Sequence, residues 1–218
     1  MLNNKVSKAV RLAIAFGAVS TAAFSASTTA AEEGLEKVGW HNVDWTETNV
    51  RLLKPGMEIA FGGCVKEYAA DSVAGLCRRG EVVSGYVDLG GDIAVIGPPP
   101  DAEYWQFSVR HPQMHDQPIA SIPLSEGGLT TSGTYERYMI IDGIRYSHLL
   151  NAKTGWPLKP ENHFCSVSVV AQHAMVAGSV STIAMLLGEK EGEAWLKQSG
   201  LVYLAIDQEL QLSSNAHC

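Results

Sequence analysis

Cysteine is scarce in this 218-residue chain, which has four, at Cys64, Cys77, Cys165 and Cys218. Their spacing matches no zinc-binding pattern, which excludes a small zinc-stabilised domain. Four cysteines permit several pairings, and the spacing does not select among them. Cys64 and Cys77 lie inside apolar stretches, where a buried free thiol is the expected state. Positive charge is also scarce: 16 Lys and Arg stand against 23 Asp and Glu, for a net charge of -7. A nucleic-acid partner is therefore not expected, because phosphate binding needs a basic face. There is no low-complexity tract, heptad run or fixed-period repeat, which argues against solenoids and coiled coils. No apolar run has the length of a comfortable membrane span.

What is present begins with an unusual front end. Lys5, Lys8 and Arg11 are followed by the apolar run Leu12 to Phe24, and then by the small polar stretch Ser25 to Ala31. That order is the grammar of a cleavable secretory signal. The expectation is a signal peptide over 1–31 and a mature domain over 32–218, exported and periplasmic. Removing the three basic residues of the signal leaves 13 Lys and Arg against 23 Asp and Glu, a net charge of -10. The full sequence is 46% hydrophobic, and the mature part is long enough for one core, so a single domain is expected.

Along the mature chain, residues 35–60 read as loop and short strands around the turn Pro55-Gly56. The spacing of Val65, Tyr68, Ala69, Val73, Leu76 and Cys77 predicts a helix over 65–79, stopped by Gly80. Val83 to Ile96 reads as strand, turn and strand around Gly90-Gly91. Short strands follow at 105–109 and 119–124, and Tyr138 to Tyr146 reads as a hairpin with Asp142-Gly143 at its tip. A strand at 164–170, helices at 174–187 and 191–198, a strand at 201–206 and a polar tail complete the order. Strands and helices mix without regular alternation, so the expected fold class is α+β.

Four islands carry candidate chemistry. Gly62-Gly63 before the first helix lets a ligand approach backbone at a helix N-terminus. Gly90-Gly91 between apolar strands leaves bare backbone for a ring or a pyrophosphate. Thr130, Thr131 and Ser132 cluster hydroxyls before Gly133, a loop-like arrangement that can cradle phosphate. Ala177-Gly178-Ser179-Val180-Ser181-Thr182 puts small residues on the long helix, where close packing is the plain expectation. His148 follows the 138–146 hairpin.

Taken in order, the islands GGCVKEYAAD, VDLGGDI, TSGTYERY, RYSHLLNAKTGWP and AGSVSTIAMLLG resemble those of the FAD:protein FMN transferases, the ApbE family. The resemblance runs from about Gly39 to Leu204. It implies an ApbE-like α+β fold and a protein-flavinylating enzyme. FAD would be the donor, FMN would pass to a Thr or Ser hydroxyl of an acceptor flavoprotein, and AMP would leave. Such acceptors are exported proteins or parts of membrane electron-transfer complexes. By position, the resemblance implies that the Gly63 carbonyl and Thr182 hydroxyl ligate Mg2+. It implies that Lys66, Gly90, Gly91, Thr131 and Ser132 lie by the flavin nucleotide and its phosphates. Leu149 and Leu150 would pack on the isoalloxazine, and His148 would take the acceptor proton.

The sequence departs from the family pattern at several points. Gly178 stands where the family helix carries an Asp, one turn before Thr182, so weaker cation binding is expected. Ala60 and Asn151 also stand at positions of family Asp residues. The family's pattern includes roughly a hundred further residues ahead of the matching region, so the expected domain is a shortened one. Beside the active transferase stand two other readings: a non-catalytic flavin-binding or partner-binding relative, and one half of a split transferase.

Overall fold

A computed structural model of the chain describes residues 34–114, 116–135, 138–141, 144–158 and 161–215. The signal-like segment 1–31, the tip Asp142-Gly143 and Cys218 lie outside the described residues. The described chain opens with a 3-10 turn at Trp40–Asn42 and a small ladder of β1 (Val43–Trp45) and β2 (Val50–Leu52). Helix α1 (Val65–Arg79) leads to β3 (Gly85–Asp88), β4 (Asp92–Gly97), β5 (Trp105–Arg110), β6 (Pro118–Leu124) and β7 (Gly128–Gly133). Next come the hairpin of β8 (Tyr138–Ile141) and β9 (Ile144–Ser147), strand β10 (Ser166–Ala171), and helices α2 (Ala174–Leu187) and α3 (Glu189–Ser199). Strands β11 (Val202–Ile206) and β12 (Leu212–Ser214) end the order.

The main sheet has six strands in the order β12-β11-β10-β7-β4-β3, each antiparallel to its neighbour. Strands β4 and β10 are rich in Val and Ile and buried almost throughout, on both faces. β-Branched residues suit that position because they pack on both sides of the pleat. Helices cover one face and the β5–β6 hairpin covers the other, which is the expected α+β arrangement.

Side-chain alternation divides the core between these two faces. On the helix side, Val167 and Val169 of β10 pack with Ala177, Val180, Ala184 and Met185 of α2 and Leu196 of α3. α2 is apolar almost all round because it lies between the sheet and α3. On the hairpin side, Phe107 and Leu124 pack with Ile93, Val95 and Leu129, and Tyr86 meets Trp105 and Phe107 edge-on at 5.0 and 5.1 Å. Burying each large apolar side chain contributes about 1.5–3 kcal/mol relative to exposure.

Two sequence expectations change. The helix over 65–79 forms with the expected bounds, but its large apolar residues do not face the core. Val65, Tyr68, Val73 and Leu76 are exposed, while Ala70, Ala74 and Glu67 are buried. Small residues win because α1 must come close to Ala94 and Ala174. The Thr-Ser-Gly stretch is also not a loop. It is the end of β7, where the strand pairs with β10 along one edge, while β4 accompanies the other edge only as far as Thr130. The tail contains β12, which pairs with β11. Cys64 and Cys165 are buried and Cys77 is half-buried; Cys64 and Cys77 are free thiols.

Candidate functional site at the seam of two helices

The site begins at the turn before α1. The amides of Cys64 and Val65 both donate to the Phe61 carbonyl, at 3.0 and 2.9 Å, so Gly62-Gly63 is folded directly onto the helix start. One residue into α1, Lys66 forms an ion pair with Asp92, the first residue of β4. Asp92 is buried, and burial raises its carboxyl pKa although the Lys66 ammonium opposes the shift. The next residue, Glu67, is buried too. Desolvation raises its pKa, and the negative charge of Asp92 adds to the rise. Its Oε2 has no hydrogen-bond partner.

α1 packs on α2 through Asp71. The amides of Ala174 and Met175 donate to Asp71 Oδ1 and Oδ2 at 2.9 and 3.0 Å. A carboxylate from a neighbouring helix thus caps the N-terminus of α2, where it satisfies orphan donors and the helix dipole. Further along α2, Gly178 faces Glu67. A Cβ at 178 would lie 2.8 Å from Glu67 Oε1, so any other residue there would push the Glu67 side chain from this position.

A hydroxyl cluster continues from there. Ser132 of β7 lies 2.8 Å from Ser181 Oγ and 3.0 Å from Thr182 Oγ1. Ser181 donates its proton to the Gly178 carbonyl at 3.1 Å. Ser132 must then donate to Ser181 and accept from Thr182, since each hydroxyl has one proton. That order leaves the Thr182 oxygen lone pairs unclaimed by Ser132.

Strand alternation sorts the Thr-Ser run. Thr130 and Ser132 face the helices: Thr130 Oγ1 donates to the Ala174 carbonyl at 3.3 Å. Thr131 points to the other face and bonds Ser168 at 2.7 Å, so the structure does not bring it together with Ser132. Gly90 and Gly91 sit exposed in the β3–β4 turn with φ of 75° and 91°. Positive φ at both central residues is the primed hairpin turn that favours glycine. The Gly91 amide donates to Asp88 Oδ1 at 2.7 Å.

His148 follows β9 and is half-buried. Leu149 packs against the core cluster that contains α2, and Leu150 bridges to Pro157. Asn151 turns the loop beyond, accepting the Lys153 amide on Oδ1 at 2.8 Å. The sequence placed Thr130 among the hydroxyls but gave no role to Glu67, Asp71, Asp92 or Ser181. A signal existed for Glu67, which lies three and seven residues before Ala70 and Ala74 on the small-residue face of α1. That face was hidden by the larger apolar residues on the other side.

Among the described residues, no three His, Cys, Asp or Glu side chains converge as a metal cluster. The seam does offer hard oxygen donors and an unpartnered buried carboxylate oxygen. Mg2+ suits such a set, because it is commonly held by one or two carboxylates together with substrate phosphates.

Comparison with known proteins agrees with the fold. FAD:protein FMN transferase from Klebsiella pneumoniae is 31% identical over 176 residues, covering 79% of this chain and 53% of that protein. The Salmonella typhimurium protein of the same name is 29% identical, covering 71% of this chain and 44% of its own length. The chain thus spans about half the length of these curated relatives. The crystal structure of an ApbE protein from Thermotoga maritima superposes with a TM-score of 0.78 at 30% identity, covering 88% of this chain and 62% of that one. Flavin transferase ApbE from Vibrio cholerae shares the fold, with a TM-score of 0.80 at 19% identity over 99% of this chain and 74% of its own. The model of the ApbE family matches residues 4–205, and the chain belongs to that family.

Proposed function

We propose that this protein is an FAD:protein FMN transferase that modifies a Thr or Ser hydroxyl of an exported or membrane flavoprotein. The observation that carries this reading is convergence. Residues of three islands that are distant in sequence meet at one seam: Glu67, Ser132 with Ser181 and Thr182, and Gly178. Membership of the ApbE family supports the same reading.

In the proposed reaction, the acceptor hydroxyl oxygen attacks the phosphorus of the FMN half of FAD. The bond from that phosphorus to the bridging oxygen breaks, and AMP leaves with that oxygen. The hydroxyl proton passes to the imidazole of His148, a base suited to neutral pH. Lys66 offers positive charge beside the phosphates, Ser132 and Gly90-Gly91 border the nucleotide, and Leu149 and Leu150 provide apolar surface for the flavin. Mg2+, held by the Gly63 carbonyl and the Thr182 hydroxyl, would neutralise phosphate charge. Positioning and charge neutralisation supply most of the rate in such transfers.

The basic, apolar and small-residue order of 1–31 supports export, with the reaction in the periplasm. The test is direct. Mature protein is incubated with FAD, Mg2+ and an acceptor domain bearing a Thr, and the acceptor's mass is measured. Covalent addition of FMN is expected, and His148→Ala should slow it by roughly 10²–10⁴-fold. Flavin fluorescence quenching without any mass change would instead establish a binding protein.

A further inference from the structure

Glu67 has no structural reason to be a carboxylate. Its neighbours on the inward face of α1 are Ala70 and Ala74, and an alanine would continue that face. It is 6% exposed, and its Oε2 is buried without a hydrogen-bond partner. Lys66, the adjacent cation, is engaged by Asp92. A buried charge in this condition is costly unless an ion or a proton arrives to compensate it.

The opposite wall of the seam is shaped around this side chain. A Cβ at Gly178 would fall 2.8 Å from Oε1, 2.9 Å from Cγ and 3.2 Å from Cδ of Glu67. The Glu67 carboxylate therefore occupies the place from which a side chain at 178 would start. The contacts between the helices run in opposite directions: Asp71 meets Ala174 and Met175, and Glu67 meets Gly178. One turn further along α2 stands Thr182, and four residues before Glu67, in the turn that leads into α1, stands Gly63. The Glu67 carboxylate of α1 and the Thr182 hydroxyl of α2 thus belong to the same seam, with Gly63 in the turn at the start of α1.

We infer that Glu67 supplies, from α1, the anionic oxygen of a hard divalent-cation site whose neutral donors are the Thr182 hydroxyl and the Gly63 carbonyl. The inference rests on the proposed role of Gly63 and Thr182. The carboxylate expected on α2 has in effect moved across the seam, and glycine at 178 makes room for it. This reverses the expectation that Gly178 weakens cation binding. It also means that Gly178→Asp alone would crowd two carboxylates into one space rather than improve the site.

The experiment measures Mn2+ binding to the purified mature protein by the loss of free-ion EPR signal, with and without FAD. Glu67→Gln keeps the shape and removes the charge; it should weaken Mn2+ binding by at least about 10-fold. The exchange Glu67→Gly with Gly178→Asp should restore binding to within a few-fold. Gly178→Asp alone should lower the melting temperature of the metal-free protein. Wild-type binding in folded Glu67→Gln would overturn the inference and make Glu67 a protonated structural carboxyl. Absence of Mn2+ binding by the wild type, with or without FAD, would overturn it too, whatever the result of the FMN-transfer assay. Glu67-dependent Mn2+ binding without FMN transfer would support the inference while removing the proposed activity. A folded double variant that does not bind Mn2+ would count against the exchange of carboxylates and overturn it.

Discussion

The two faces of the central sheet are built on opposite terms. On the hairpin side, Phe107, Leu124, Ile93, Val95 and Leu129 make an apolar contact. On the helix side, the same strands β4 and β7 also present Asp92, Thr130 and Ser132 to a seam that holds Glu67 and Asp71. The hairpin face is held mainly by apolar burial, and the hydroxyls of Thr131 and Ser168 that it contains are neutral and bonded to each other. The seam is not held in this way, because buried carboxylates oppose folding unless they are paired or neutralised. Charge concentrated on one face, while the other holds only apolar side chains and neutral hydroxyls, separates the part of the sheet that stabilises from the part that can do chemistry. Buried titratable groups gathered in this way are what a functional site requires.

Three changes would break or sharpen that contrast. The largest loss of stability belongs to the apolar face. Phe107→Ala should cost about 3–5 kcal/mol in chemical denaturation, through lost burial and the cavity left under Tyr86 and Trp105. Mn2+ affinity of the protein that remains folded should be unchanged; a loss of affinity would mean that the two faces are coupled. Asp71→Ala comes next. Removing the cap from the amides of Ala174 and Met175 should cost about 1–2 kcal/mol. It should also loosen the register that sets Glu67 against Gly178, so Mn2+ binding should weaken together with stability.

The smallest effect is a pH dependence. The Glu67 pKa is raised from its ordinary 4.5 by burial and then by Asp92, so the folded protein holds this proton more tightly than the unfolded chain. The stability that this provides is fully present below about 4.5 and is lost as pH rises through the raised folded value. Glu67→Gln removes the titration. The melting temperature of the metal-free variant relative to wild type should therefore rise as the pH is increased above about 4.5. A difference independent of pH would show that Glu67 does not titrate in this window.

Much of this arrangement was legible in the residues. The apolar and glycine pattern located α1, α2 and the β3–β4 turn, and the ordered islands pointed to the family. The reading of Thr131 and Ser132 as a joint phosphate loop was less successful. Hydroxyl-rich residues next to glycine resemble a turn, but β-branched Thr also suits a central strand, where alternation sends the two side chains to opposite faces. The inward face of α1 was also misread. Apolar spacing marks the larger residues, whereas close packing of α1 on α2 and β4 selects Ala70 and Ala74.

The sequence by itself determined the α+β class, the family and the order of the elements apart from β7 and β12, because periodicity, turn residues and motif order are local properties. Only the tertiary structure decided which residues share a site. Glu67 and Gly178 are far apart along the chain, and neither is informative alone. They become a matched pair when α1 and α2 pack antiparallel and the space of one missing side chain is taken by another. That relation depends on packing in three dimensions, which no linear spacing encodes.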